Sequence, residues 1–210
     1  MTKDIDRIKQ CRKPEGKLGK DVAKQMNVSH YNLWKWALSL FEINNGDLIL
    51  DIGCGGGGTL KLMSEKAKSI KIYGIDYSED MVKYASVFNK NEIDEGKMII
   101  SQGDANNLSF PDNMFDICTS FESSYFWENI IQTIAHIKTK IKPGGIFVLV
   151  NEDYISNKIT ERQAYIEKTL NIKYLKLKDY SEIFKKSGFS DFTVNENREN
   201  GWITVIAHNN

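Results

Sequence analysis

Between Leu48 and Leu60 the chain reads LILDIGCGGGGTL. An apolar run ends in an acid, breaks into five glycines and one cysteine, and resumes with helix-forming residues. This is the pattern of a buried strand that hands over to a helix through a turn with almost no side chains. Backbone in such a turn comes very close to a ligand, next to the free amides that open the following helix. Gly53, Gly55 and Gly57 hold the G-x-G-x-G spacing, while Gly53, Gly55 and Gly58 also satisfy G-x-G-x-x-G. The turn by itself therefore leaves the nucleotide cofactor open.

The following residues narrow the choice. A helix is expected from Thr59 to about Ala67, then a strand from Ile70 to Ile75 that ends in Asp76, 25 residues after Asp51. A carboxylate at the end of the second strand of a βαβ unit can accept hydrogen bonds from both ribose hydroxyls. Ser78 is a suitable cap for a helix over Glu79–Asn89. Further strands are expected at Met98–Ser101, Phe115–Ser120 and Gly145–Val150, with a helix over Glu128–Ile141 before the turn Lys142-Pro143-Gly144-Gly145. Such alternation predicts a parallel sheet covered on both faces. The last helix, Asp179–Lys186, is stopped by Gly188. Phe192–Asn195 and Trp202–Ala207 close the chain as strands too near one another for a crossover, hence antiparallel.

The ordered series LDIGCGGG, YGIDYS, GDANNLSFPDNMFD and KPGG resembles the class I S-adenosylmethionine-dependent methyltransferases, of the small stand-alone bacterial type with a small-molecule acceptor. The resemblance is close over about residues 45–152 and looser towards the end. It implies an α/β, Rossmann-like, seven-stranded and mostly parallel sheet with an antiparallel C-terminal hairpin and helices on both faces. It implies direct in-line transfer of a methyl group from S-adenosylmethionine, with S-adenosylhomocysteine as product. Residues 1–210 then form a single domain. By the resemblance, Asp51, Gly53, Cys54, Gly55 and Gly57 would hold the amino acid end of the cofactor. Asp76 would take the ribose hydroxyls, with Tyr77 beside it as a further cofactor-binding residue. Asp104 and Ala105 would meet the adenine, with Met81 or Leu108 against the ring. Each acid also has a plain structural alternative: Asp76 as a helix cap, Asp104 as part of a Gly-Asp turn. For Cys54 the alternative is a small residue in a crowded turn.

Lysine plus arginine (28) equal aspartate plus glutamate (28), so there is no basic excess of the kind nucleic acid requires. The amino-methylating signature of nucleic-acid enzymes is also missing after Ser120. The partners expected are thus a small-molecule acceptor, with no nucleic acid and no membrane. Cys11, Cys54 and Cys118 show no C-x-x-C spacing, and the three histidines are widely separated, so no metal is expected. The start of the chain is charged and no apolar run approaches transmembrane length, which points to a cytoplasmic protein. Two alternatives to the transferase are a non-catalytic S-adenosylmethionine-binding module and an NAD(P)-dependent oxidoreductase.

Residues 1–16 read as a mobile arm, followed by helices over Lys17–Asn27 and His30–Phe41, the second capped by Ser29. This 1–41 segment precedes the sheet and is rich in aromatics, and is expected to act as a lid. Residues 153–178 break the alternation and are expected to cover the active face as an insertion. After the fourth strand come Glu122, Tyr125 and Trp127, and a carboxylate among aromatic faces suits an amine or another cationic acceptor. Glu122, His30 and Tyr125 are the candidate catalytic residues. Trp34, Glu122, Tyr125 and Trp127 are the candidate acceptor pocket. A general base is needed only when the nucleophile is protonated, because most of the acceleration can come from alignment.

Overall fold

The computed structural model describes the backbone of residues 2–210 and the side chains of residues 5–210. Seven strands form one sheet: β1 (Leu48–Ile52), β2 (Lys71–Asp76), β3 (Met98–Gln102), β4 (Phe115–Phe121), β5 (Ile141–Asn151), β6 (Asp191–Asn197) and β7 (Trp202–His208). Their spatial order is β3-β2-β1-β4-β5-β7-β6. All pairings are parallel except those of β7, which runs against both β5 and β6. The expected sheet, with its one reversed strand in the closing hairpin, is therefore present. β1 is buried on both faces: Ile49 contributes to one core cluster, Leu50 and Ile52 to the other. Strand order reverses between β1 and β4, and a crevice opens at that point beyond the strands' carboxyl ends.

The helices are α1 (Thr2–Lys9), α2 (Gly16–Ser29), α3 (Tyr31–Ala37), α4 (Gly58–Ser64), α5 (Glu79–Phe88), α6 (Lys90–Asp94), α7 (Ile130–Lys140), α8 (Glu161–Leu170) and α9 (Leu177–Lys186). Leu33, Trp34 and Ala37 of α3 and Leu60 and Met63 of α4 pack on one face of the sheet. Ile134 and Ile137 of α7 and Tyr180, Ile183 and Phe184 of α9 pack on the other. The helix caps follow local chemistry: Ser78 accepts from the Met81 amide, Asn129 from Gln132, and Thr160 from Gln163.

Several local expectations change. The arm at 1–16 contains the helix Thr2–Lys9, and Met1 lies outside the described residues. Ile5 and Ile8 supply the only aliphatic positions of a helix otherwise made of polar residues, too few for a clear sequence signal, and α1 rests on α8. Ser29 is the last residue of α2 rather than a cap, and His30 forms the joint to α3. β5 begins at Ile141, so the KPGG segment lies within the strand. There the pairing shifts register between Phe115 and Ile117, and Gly144 takes φ +81°. No residue of 153–178 lines the main cavity described below. This segment packs outside α1 and reaches the site through Arg162.

Candidate active site

A cavity of about 540 Å³ opens at the carboxyl ends of β1, β2 and β4. Its floor is the glycine turn, and its far wall is the start of the β4 loop. Its roof is the N-terminal segment, through Lys9, Cys11, Arg12, Lys13 and Pro14 and then Asn27, His30 and Trp34.

The glycine turn is empty of side chains for several separate reasons. A β-carbon on Gly53 would lie 2.3 Å from Ser123 Cβ, one on Gly57 2.4 Å from the Asn89 amide, and one on Gly58 2.4 Å from the Trp34 ring. Gly55 differs. Its φ is +50° and a β-carbon there would meet nothing within 4 Å, so its missing side chain leaves room beside the cavity.

Asp76 lines the cavity at the end of β2. Oδ2 accepts from the Gly55 amide at 2.8 Å and Oδ1 from the Ser78 amide at 2.8 Å. Burial pushes its pKa above the ordinary carboxylate value, against these two bonds. Ser78 Oγ donates to the Pro14 carbonyl at 2.5 Å, and the Gly16 amide donates to Asp80 Oδ2 at 2.7 Å. The N-terminal segment is thus pinned over the acid that ends β2.

Gly53, Cys54, Tyr77, Met81, Asp104 and Ala105 also line the cavity. Asp104 sits in a turn, where Oδ1 accepts from both the backbone and side-chain nitrogens of Asn106 at 2.9 Å. Three expected cofactor residues are placed elsewhere. Asp51 is 1% exposed and does not line the cavity; its oxygens accept from Thr59 Oγ1 at 2.6 Å and Thr119 Oγ1 at 2.7 Å. Burial raises its pKa to about 6, against those two bonds. Gly57 faces Asn89 and Ala85. Leu108 belongs to the core.

On the acceptor side, His30, Trp34, Glu122, Phe126 and Trp127 line the cavity. Tyr125 does not, which corrects its assignment as a catalytic and pocket residue. The single 3-10 turn Ser124–Phe126 rotates its ring towards Tyr174, and its hydroxyl donates to the Asp153 carbonyl at 3.1 Å. Glu122 holds a φ of +59°, a left-handed conformation otherwise found among non-glycine described residues only at Asn113 and Asn171. Burial, with the charge of Glu152 beside it, lifts the Glu122 pKa well above the carboxylate range.

Glu152 is the residue that sequence reasoning missed. His30 Nε2 lies 2.7 Å from Glu152 Oε2, and the Glu152 amide donates to Glu122 Oε1. Its signal was an acid directly after a strand end, the same feature that marked Asp76. The basic residues at the mouth, Lys9, Arg12 and Lys13, were also missed, because the segment that carries them read as an unstructured arm.

Residues 50–149 match the family described as the methyltransferase domain. This match, the sheet order and a cavity at the reversal of strand order support a class I S-adenosylmethionine-dependent methyltransferase. It is 28% identical over 169 residues to the uncharacterized methyltransferase YdaC of Bacillus subtilis, covering 80% of this chain and 86% of that one. Among solved structures it resembles the putative methyltransferase of Haloferax volcanii, solved in complex with the activator Trm112. That match has a TM-score of 0.76 and 21% identity, over 90% and 93% of the two chains. It also resembles phosphoethanolamine N-methyltransferase 2 of Haemonchus contortus, solved with phosphomonomethylethanolamine and S-adenosylhomocysteine. There the TM-score is 0.71 and the identity 17%, over 87% of this chain and 58% of that one. The methyltransferase-domain match and the reversed β7 weigh against the oxidoreductase alternative. No helix among the described residues is long and apolar enough to cross a membrane.

Proposed function

We propose that this chain binds S-adenosylmethionine along the glycine turn and Asp76, and transfers its methyl group directly to a small molecule held against His30, Glu122, Phe126 and Trp127. The observation that carries this is one continuous cavity with both sets of residues in its wall. Its volume of about 540 Å³ is of the size that small-molecule sites have.

The residues present fit the cofactor. Gly55 leaves open space at the turn, and the Asp76 carboxylate stands at the cavity edge with its backbone bonds holding it in place. The Trp34 indole N–H is buried without an acceptor among the described residues, and Trp34 is part of the wall. When bound, S-adenosylmethionine supplies a methyl group on a sulfonium, ready for attack without a covalent enzyme intermediate. The chain's own contribution is then orientation and exclusion of water. Asp76 positions, the α1–α2 segment covers, and the Glu122–His30 wall receives the acceptor. Where the acceptor carries a proton, Glu122 and His30 are among the titratable groups in the cavity wall that can accept it.

The sequence-based preference for an amine assumed an aromatic cage of Tyr125 and Trp127 around Glu122. Tyr125 is turned away, so the argument for an amine loses one wall. The acceptor class is better sought by a screen of phenols, carboxylates, thiols and amines scored by S-adenosylhomocysteine release. Turnover with any of them supports the transferase. Tight S-adenosylhomocysteine binding with no product across the screen favours the binding module, and absence of cofactor binding overturns the proposal.

A further inference from the structure

β4 and β5 are parallel neighbours, with Phe121 opposite Val150. Glu122 and Glu152 are each the first residue beyond their strand, so the sheet sets two carboxylates side by side at its carboxyl edge. The Glu122 amide donates to the Val150 carbonyl at 2.9 Å, and the Glu152 amide returns a bond to Glu122 Oε1. His30, from the joint of α2 and α3, descends onto the pair. One donor atom from each of the three lies within 4.8 Å of the others. We propose that His30, Glu122 and Glu152 form a binding site for a divalent transition-metal ion.

The spacing suits a shared ion. Bonds of about 2.0–2.2 Å from an imidazole nitrogen and carboxylate oxygens separate adjacent donors by about 3 Å and opposed donors by about 4.2 Å. The 2.7 Å between His30 Nε2 and Glu152 Oε2 is close to the adjacent spacing, and the 4.8 Å limit encloses the opposed one. In the structure His30 Nε2 and Glu152 Oε2 are paired with each other, and a bound ion would replace that contact. Arg162 reaches Glu152 through Oε1 at 3.6 Å, on the side away from His30, and binds Asp153 Oδ2 at 3.0 Å. Glu122 uses Oε1 for the Glu152 amide, and its other oxygen has no hydrogen-bond partner among the described residues.

The donor set of one imidazole and two carboxylates selects Mn²⁺, Fe²⁺ or Zn²⁺ over Ca²⁺, which prefers oxygen alone. Three protein ligands leave coordination positions open, and His30 and Glu122 line the cavity where they would face. An ion there would favour an acceptor with an ionisable or chelating oxygen, whose proton loss it promotes. That use of the site rests on the transferase reading; occupancy by metal does not.

The test is titration of the metal-stripped full-length protein with MnCl₂, followed by the electron paramagnetic signal of free Mn²⁺, and with ZnCl₂ by calorimetry. One ion per chain is expected, with Glu122→Gln and Glu152→Gln each weakening it by at least about tenfold. Circular dichroism and thermal melting establish that each variant is folded, and Glu152→Asp, which keeps the donor, should retain more affinity than Glu152→Gln. No binding at millimolar metal, or binding of unchanged strength in either folded glutamine variant, overturns the proposal. S-adenosylhomocysteine affinity, measured in parallel, reports separately on the cofactor assignment.

Discussion

The amide of Gly55 donates to Asp76 Oδ2 at 2.8 Å, so the glycine turn after β1 and the acid that ends β2 are one hydrogen-bonded unit. Asp76 therefore has two jobs: it fixes the turn and it faces the cavity.

Asp76→Ala should weaken S-adenosylmethionine and S-adenosylhomocysteine together. Loss of hydrogen bonds to a charged acceptor costs about 1.5–3 kcal/mol, which is about 10- to 150-fold in affinity. Calorimetry on the folded variant checks this, and unchanged affinity would remove Asp76 from the cofactor site.

Gly55 and Gly58 should separate binding from folding. Gly55→Val puts a β-branched side chain at φ +50° beside the cavity and should abolish cofactor binding. Gly58→Val drives its side chain into the Trp34 ring and should lower stability by about 1–3 kcal/mol. The two effects are read by calorimetry and thermal melting. A Gly55→Val protein that binds normally would show that the turn is not the contact surface.

The roof can be removed without opening the core. Val22 and Ala23 of α2 are buried, so a cut inside α2 would unfold part of the protein, whereas residues 1–13 precede it. Deleting residues 1–13 removes Lys9, Cys11, Arg12 and Lys13 from the wall and should weaken S-adenosylhomocysteine binding in a folded protein. Undiminished affinity would refute a covering role for this segment.

Asp51 should make stability depend on pH in an unusual direction. Its folded pKa of about 6 lies above the ordinary value of 3.8, so its neutral form is favoured by folding. The stability it contributes is present below pH 3.8 and is lost as pH rises through about 6. Relative to the wild type, Asp51→Asn should therefore gain about 1–1.5 kcal/mol between pH 5 and pH 8. Thermal melting of both proteins across that range gives the difference. A pH-independent difference would mean that the Asp51 carboxyl titrates normally.

The strands, the glycine turn and the acid at the end of β2 were legible in the sequence because each is written in adjacent residues: apolar runs, missing side chains, caps. α1 was not legible, because its few aliphatic positions acquire meaning only against α8. Which strand-end acid faces the cavity was decided by the tertiary structure. Asp51 and Asp76 look alike in sequence, yet hydroxyls from Thr59 and Thr119, on two different elements, enclose the first. Tyr125 and Trp127 look alike too, and one 3-10 turn sends only the second to the wall. Glu122 and Glu152 stand 30 residues apart, and His30 lies further still. Periodicity carries no term for such distances: strand pairing and register join the two glutamates, and the packing of α3 on the sheet delivers the histidine.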